Sequence, residues 1–479
     1  MNDLTALIDD LTPAFAAVSD SIWDFAELRF CEARSSAAQA ALLERHGFRL
    51  TRNLAGMPTA FVAERGEGGP VIAFLGEFDA LAGLSQKAGV AAEEALEPGG
   101  SGHGCGHNLL GVGAMLAATA LARHLDNKGI AGTVRYYACP AEEGGSGKTF
   151  MAREGCFDDV DAAFTWHPAP FCGVRSTTNL SVLGIYYRFK GTAAHASNAP
   201  HLGRSALDAL ELMNVGVNFL REHMPSDARV HYAITDPGGA APNVVQAQAE
   251  AFYYIRSPEL PGAIALRERI DRIAKGAAMM TDTEVAITFD RATSNLLPNH
   301  ALETALHATM KDLGPVPFDD ADLEFAQAIR ATLSDEAIRS SYKLYKVQGD
   351  ALLNSLDRDS PLHRGLLAFD GHSHFRAGST DVGDVSWTVP TAQVWTPCWA
   401  IGTPVHTWQV VAQGKSPGAH KAMVHAAKAL ALTALRACET PELLSDAKAE
   451  WAQRTNGQPY RCPLPPEIMP SVPKEFAAA

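Results

Sequence analysis

The sequence has no excess of positive charge and no long apolar run. Its 479 residues include 40 lysines and arginines against 54 aspartates and glutamates, a formal net charge of −14. Because a chain of this charge repels polyanions, we expect neither nucleic acid nor an anionic membrane surface as its main partner. No uninterrupted apolar run reaches the length of a transmembrane helix, so a membrane-spanning protein is not predicted either.

The sequence also lacks a regular cysteine pattern. Eight cysteines are scattered along the chain without even spacing, which argues against a disulfide framework. A reducing compartment suits such thiols better. The N-terminus is acidic and leads into an amphipathic pattern, which is not typical of a secretion signal. We therefore expect a cytoplasmic protein.

The composition that remains is typical of a compact enzyme. Hydrophobic residues make up 47% and charged residues 20% of the chain, a balance that disfavours long disordered stretches. A chain of this length is too long for one ordinary hydrophobic core, so two or three domains are expected.

The hexapeptide His103-Gly104-Cys105-Gly106-His107-Asn108 is the most informative stretch of the sequence. It places a thiol and two imidazoles in a glycine-rich turn just before the apolar run of residues 109–121. Thiolate and imidazole are ligands of zinc and similar cations, so the turn predicts a metal site at the start of a helix. A buried cysteine beside two hydrogen-bonded histidines is the alternative, and the hexapeptide alone does not separate the two.

Acidic or imidazole side chains also follow several predicted strands. They are Glu77 and Asp79 after residues 71–75, Glu142 and Glu143 after residues 133–139, His167 after residues 162–166, and His406 beyond residues 391–396. Open α/β sheets form their sites at the carboxyl ends of strands, so we expect these side chains to converge. Each alone has an ordinary structural explanation, as a loop cap or a solvated pair. Together with Cys105 and His107 they favour a metal centre.

The region from residue 182 to residue 295 differs from the rest of the chain. Its predicted order is strand, helix, strand, strand, helix, strand, the βαββαβ pattern of an α+β ferredoxin-like domain. We therefore predict an α/β protein in which residues 1–181 and 296–479 form one discontinuous domain around a mixed sheet flanked by helices. Residues 300–370 are expected to be largely helical, and the Pro-rich tail after Leu444 is expected to wrap the surface.

Taken in order, these motifs resemble a known family. The segments GEFDAL, HGCGHN, PAEEG and WHP, the GTAAHAS turn, the GSTDVGDVS loop and the late histidine are similar to motifs of two-metal amidohydrolases and peptidases related to aminoacylases and glutamate carboxypeptidases. The resemblance runs from about residue 20 to residue 440. The HxCGH version resembles the branch that cleaves N-acyl and N-aroyl amino acids. It implies a metal-dependent amidohydrolase, with p-aminobenzoyl-glutamate as the expected substrate.

The resemblance also implies roles for individual residues. Two divalent cations, zinc or manganese with cobalt as a third option, would be held by Cys105, His107, Glu143, His167 and His406. Glu142 would shuttle the proton, and Asp79 would orient a ligand histidine. His195 would polarise the scissile carbonyl in a partner's active site. Asn243 and Arg256 would hold the substrate backbone and its carboxylate.

A histidine that acts on another chain implies at least a dimer. The resemblance allows a homodimer or a heterodimer with a homologous A subunit, with the inserted domain as the dimerisation and lid domain. We expect apolar residues such as Val182 and Ile185 to lie where two inserted sheets meet. Two alternatives stay open: hydrolysis of another N-acyl amino acid, such as indoleacetyl-aspartate, and a non-catalytic subunit that completes a homologous subunit's site.

Two positions depart from the pattern of the family. Asn108 stands where many relatives have Asp, and Glu77 stands where many peptidase relatives have His. The first change removes a charge near the site and the second removes a metal donor. Neither affects the five expected ligands, but metal occupancy and identity stay open.

Overall fold

The computed structural model describes residues 2–346 and 359–473. Among these residues no helix is both long and apolar enough to span a lipid bilayer. The helices are α1 (Asn2–Phe25), α2 (Ala33–Arg45), α3 (His107–Lys128), α4 (Gly147–Arg153), α5 (Ala206–Leu220), α6 (Leu260–Thr281), α7 (His300–Leu313), α8 (Asp320–Arg330), α9 (Asp335–Lys346), α10 (Val382–Ser386), α11 (Trp408–Gln413), α12 (Pro417–Glu439) and α13 (Pro441–Arg454).

The strands form two main sheets and a small parallel pair, β7 with β12. The strands are β1 (Arg49–Arg52), β2 (Phe61–Glu67), β3 (Val71–Glu77), β4 (Gly132–Cys139), β5 (Ala162–Ala169), β6 (Gly173–Val174), β7 (Thr177–Asn179), β8 (Ser181–Lys190), β9 (Arg229–Asp236), β10 (Gln248–Ser257), β11 (Glu284–Thr293), β12 (His374–Arg376) and β13 (Thr391–Pro397).

The larger sheet is mixed, as the sequence predicts. Its order is β1-β2-β4-β3-β5-β13-β6. The four inner strands β4, β3, β5 and β13 run parallel, whereas β1, β2 and β6 pair antiparallel. Helices α3 and α12 pack together and against this sheet. Because the inner strands are parallel, their carboxyl ends, and the loops that follow, lie along one edge.

The second sheet belongs to residues 181–293 and has the order β11-β8-β10-β9. All its pairings are antiparallel. Helices α5 and α6 cover one face, against which every second residue of β10 is buried. The predicted βαββαβ order of elements is therefore present.

One detail predicted for this sheet is wrong. Strand β8 is an inner strand, hydrogen-bonded to β10 on one side and to β11 on the other. Val182 and Ile185 are consequently buried within the chain rather than placed at a free edge. The free edges are β9 and β11. The alternation of apolar residues indicates a strand but does not determine its neighbours, and for this reason the sequence misplaced the edge.

In two further regions the structure gives more detail than the sequence-based prediction. The tail begins with helix α13, which starts at Pro441 and packs on α7, so the irregular part of the described tail is residues 455–473. A proline at the first helical position suits a helix start, because its missing N–H has no partner there in any case. The predicted helical region 300–370 contains α7, α8 and α9, and residues 347–358 lie outside the described residues.

Candidate metal centre

The turn before α3 brings Cys105 and His107 to the edge of the larger sheet. Gly106, between them, has φ +75°, a left-handed conformation that glycine adopts without strain. The chain can therefore turn sharply into the helix. One ligand atom from each of Cys105, His107 and His167 lies within 4.8 Å of the others. The Sγ of Cys105 is 3.4 Å from Nε2 of His167.

Asp79 holds two of the candidate ligands in place. It follows β3, is 1% exposed, and accepts a hydrogen bond from Nδ1 of His107 at 3.0 Å. Its second oxygen accepts from the backbone N–H of Glu143 at 2.7 Å. The first bond fixes the tautomer of His107 and leaves Nε2 free to bind a cation. Asp79 lies where the sequence expects an orienting residue.

A second group of donors consists of Cys105, Glu143 and His406. One ligand atom from each lies within 4.8 Å of the others. Nε2 of His406 is 3.1 Å from Oε1 of Glu143. The loop after β13 positions His406 through a backbone hydrogen bond to the carbonyl of Gly104 at 2.7 Å. Since Cys105 belongs to both groups, the structure places one thiol between two sets of donors.

The donor atoms have the features expected for cation binding. Nδ1 of His167 hydrogen-bonds the carbonyl of Pro168 at 2.7 Å, which directs Nε2 toward Cys105. Nε2 of His107 and Oε1 of Glu143 are buried, and their contacts with Glu77 and His406, at 3.2 and 3.1 Å, lack hydrogen-bond geometry. Buried polar atoms are rarely left in this condition unless a bound group satisfies them. The thiol, imidazole and carboxylate donors therefore fit a pair of divalent cations.

The charges of the site favour a thiolate at Cys105 and a strongly basic carboxylate at Glu142. Burial opposes ionisation of Cys105, but the adjacent His167 and His107 hold the pKa of its thiol well below the usual value. Burial, together with the charges of Glu77 and Glu143, raises the pKa of Glu142 well above that of an ordinary glutamate. A carboxylate of this kind suits a group that exchanges protons near neutral pH.

The two positions that depart from the family pattern have different environments. Asn108 donates from Nδ2 to the carbonyl of Gly414 at 3.0 Å and to Oγ of Ser19 at 3.2 Å. It therefore ties α3 to α1 and to the end of α11 rather than facing the donors. Glu77 does face them, with Oε2 lying 3.2 Å from Nε2 of His107.

The sequence analysis did not single out Lys148, whose ammonium group forms an ion pair with Glu77. Lys148 is 0% exposed, and its Nζ lies 2.7 Å from Oε1 of Glu77 and 2.6 Å from Oδ1 of Asp381. Asp381 belongs to the GSTDVGDVS loop noted in the sequence. No sequence motif indicates that Lys148 is buried beside it. The ion triad lies directly behind the donor groups.

A cavity of about 370 Å³ opens beside the donors, between the larger sheet and the second sheet. Glu142, Glu143 and His406 line one side, and Arg256 and Arg291 line the other. Arg256 donates from Nη1 to Oγ of Ser379 at 2.8 Å, and its guanidinium lies 5.2 Å from the ring centroid of Tyr254. Arg256 is therefore available to a ligand in this cavity, whereas Arg291 was not singled out from the sequence.

The structure does not bring His195 and Asn243 to this cavity. His195 is exposed, and its Nδ1 accepts from the backbone N–H of Asn198 at 3.2 Å. The backbone N–H of Ala196 donates to the carbonyl of Asn243 at 2.9 Å, so the two predicted residues lie together on one exposed surface of the inserted region.

Comparisons with known proteins agree with this geometry. A profile of the peptidase family M20/M25/M40 matches residues 73–463. Over 478 residues the chain is 48% identical to the B subunit of p-aminobenzoyl-glutamate hydrolase from Escherichia coli (strain K12), a match that covers 98% of this chain and 99% of that one.

Two solved structures share the fold. One is an aminobenzoyl-glutamate utilization protein from Klebsiella pneumoniae, with a TM-score of 0.55 at 18% identity, covering 88% of this chain and 98% of that chain. The other is a dinuclear metal binding peptidase of the M20 family from Bacillus subtilis, with a TM-score of 0.54 at 19% identity, covering 89% and 99%. The family profile, the long relative and the shared fold show that this chain belongs to peptidase family M20/M25/M40 and is a hydrolase of the amidohydrolase and peptidase type.

Proposed function

We propose that this chain hydrolyses the amide bond of an N-aroyl or N-acyl amino acid, with p-aminobenzoyl-glutamate as the substrate and p-aminobenzoate and glutamate as products. The observation that carries the proposal is the pair of donor groups that share Cys105 and lie beside Glu142. The substrate is supported by the 48% identical relative, which is named for p-aminobenzoyl-glutamate hydrolysis.

Two divalent cations fit the donor groups. Cys105, His107 and His167 would hold one, and Cys105, Glu143 and His406 the other. When bound, the cations would polarise the amide carbonyl and lower the pKa of water at the site. The thiolate suits zinc, whereas the carboxylate would also accept manganese or cobalt.

The residues of the chain supply the remaining steps. The Glu142 carboxylate takes a proton from the attacking water and passes it to the nitrogen of the leaving amine, which its raised pKa favours. Asp79 keeps His107 in the tautomer that binds a cation through Nε2. Arg256, which has no carboxylate partner among the described residues, would form a forked hydrogen bond with the α-carboxylate of the amino-acid half.

The exposed position of His195 supports a working unit of two chains. His195 would donate to the developing oxyanion in the partner's site, and Asn243 beside it would hold the substrate backbone. The partner is a second copy or a homologous A subunit, as the relative's description as one subunit of a hydrolase suggests. Cys105, Cys139, Cys156, Cys172, Cys398, Cys438 and Cys462 form no disulfide within the described residues, which supports a cytoplasmic location.

The proposal is tested by comparing the wild-type chain with Glu142→Gln. We expect the wild-type chain, loaded with zinc, manganese or cobalt, to release p-aminobenzoate from p-aminobenzoyl-glutamate. Glu142→Gln should lower kcat by about 100- to 10,000-fold, because the proton carrier is lost, while metal content stays unchanged. Glu154→Gln, a glutamate on α4's exposed end, is the matched control and should behave as wild type.

Two results would contradict the proposal. The first is a wild-type chain that binds two metals and cleaves none of a panel of aroyl and acyl amino acids, either alone or with a homologous A subunit. The second is Glu142→Gln with wild-type turnover, which would remove the proton-carrying role.

A further inference from the structure

Two arginines lie close to the ring of Trp395, a residue of β13, the strand that pairs with the His167 strand β5. The guanidinium carbon of Arg376 is 4.3 Å from the centroid of the Trp395 ring and that of Arg175 is 5.9 Å from it. Arg376 also lies 4.4 Å from the ring centroid of Tyr345. Aromatic contacts of this kind hold a guanidinium in place and leave its N–H groups available. We call Arg175 and Arg376 the arginine pair.

Neither guanidinium of the arginine pair forms an ion pair in the described part of the chain. Within residues 2–346 and 359–473, neither guanidinium lies within salt-bridge distance of a carboxylate. Arg175 donates from Nη1 to the side-chain carbonyl of Gln393 at 3.3 Å, and its buried Nε has no hydrogen-bond partner. Arg376 donates from Nη2 to the carbonyl of Leu344 at 3.1 Å. Two partly buried cations without an anion are costly, so the arrangement points to an anionic ligand.

The arginine pair lies next to the reacting groups. Strands β5 and β13 run parallel with Trp395 opposite His167, so the two side chains point to the same face of the sheet. Burial lowers the pKa of Arg175. The negative charges of Glu77, Glu142 and Cys105 oppose this shift, so these groups lie within electrostatic range of the guanidinium. A ligand on the arginine pair would therefore sit beside the donor groups.

We propose that Arg175 and Arg376 bind the side-chain carboxylate of a dicarboxylic amino acid in the substrate. The inference deepens the proposed function and rests on it. A p-aminobenzoyl group carries no carboxylate, so a pair of cations at this place must address the amino-acid half. That half of an N-acyl glutamate has two carboxylates, and Arg256 on the inserted sheet accounts for one. The arginine pair accounts for the second and selects against amino acids with neutral side chains.

The test compares p-aminobenzoyl-glutamate with p-aminobenzoyl-glutamine, which has the same shape without the side-chain charge. For Arg175→Met and Arg376→Met, we expect kcat/KM for the glutamate substrate to fall by roughly 30- to 100-fold, mainly through KM. The value for the glutamine substrate should change less than about threefold. Arg175→Lys should retain part of the preference, since it keeps the charge but loses the fork. Arg188→Met, which removes an exposed arginine of β8, is the control.

A binding measurement tests the inference independently of turnover, even for a variant that loses activity for structural reasons. Calorimetry should show that the metal-loaded wild-type chain binds free glutamate more tightly than free glutamine, and that both Met variants lose this difference. Equal losses on both substrates, or an unchanged preference in the Met variants, would overturn the inference. So would a wild-type chain without any preference. If glutamate binds through Arg175 but no N-acyl amino acid is cleaved, the proposed function falls and the carboxylate site stands.

Discussion

The edge of the larger sheet and the exposed surface of the inserted sheet hold their polar residues in different ways. At the sheet edge, Asp79 contacts both His107 and Glu143, and Lys148 lies buried behind them. In the inserted region, His195 is exposed, and its side chain accepts hydrogen bonds from Ser197 and Asn198 of its own loop. Contacts within the chain therefore hold the residues at the sheet edge in place. His195, in contrast, is open to contact with another molecule.

The free edge of the inserted sheet shows the same contrast. Strand β9 is an outer strand, and its Tyr232 and Ile234 are 37% and 47% exposed. An outer strand with exposed apolar residues is a surface on which another chain can pair. The comparison therefore separates a site that is assembled within one chain from an exposed surface on which we propose that a second chain pairs.

The largest effect is expected from Cys105→Ala, because its sulfur belongs to both donor groups. The variant should lose both cations and fall below about one thousandth of wild-type activity. Metal analysis and p-aminobenzoate release measure the two losses. The control is Cys438→Ala, which removes a thiol far from the donors. Full retention of either cation by Cys105→Ala would show that the groups do not share the sulfur.

Lys148→Met tests whether the sheet edge is fixed by the chain itself. Removing the buried ammonium leaves the carboxylates of Glu77 and Asp381 buried without a partner, so we expect a loss of about 3 to 5 kcal/mol in the free energy of unfolding. Lys87→Met, which breaks an exposed pair with Glu94, should cost less than about 1 kcal/mol. Urea unfolding measures both values, and similar losses would remove the distinction.

Mixing two inactive variants tests the inserted surface. His195→Ala and Glu142→Gln should each be inactive as homodimers, whereas exchange of their chains should restore about a quarter of wild-type activity, since half of the dimers then contain one complete site. The activity of the mixture is followed as chains exchange. No recovery, despite exchange shown by differently tagged chains, would place His195 in the site of its own chain.

The last comparison concerns Glu303, a buried acid of the larger domain that contacts none of the candidate metal ligands. Burial raises the pKa of Glu303, on α7, to about 8 from an ordinary value near 4.5. The folded chain therefore binds this proton more tightly than the unfolded chain, so its stabilising contribution is present below pH 4.5 and is lost as the pH rises toward 8. Glu303→Gln should flatten the fall in unfolding free energy between pH 5 and pH 8, by at most about 1.4 kcal/mol per pH unit. An unchanged slope would contradict this.

The sequence predicted the mixed sheet and the residues that converge on its edge. Each candidate ligand lies near or beyond the carboxyl end of a strand, or beside the start of a helix, so its position depends on local pattern and on the rule that parallel strands share an edge. Lys148, Arg175 and Arg376 were not predicted. A single lysine or arginine is usually exposed, and the placement of these three depends on distant pairings, such as β13 with β5, that the local sequence does not encode.

The position of β8 illustrates the same limit. Its alternation of apolar residues predicts a strand, but the inner position depends on β11, which returns more than ninety residues later to pair with it. The proposed partner of His195 is a comparable case, because a contact with another chain leaves no local pattern in the sequence. Local pattern thus predicts elements and their ends, while sheet order and assembly depend on long-range pairing.

Cys105 contributes a single sulfur atom to both donor groups, so a change at this sulfur affects both groups together. If two cations bind as proposed, loss of one would also change the charge balance at the other position, because both would share the Cys105 thiolate. We therefore expect a chelator, or an oxidant that reaches Cys105, to remove both cations in one transition rather than in two separate steps.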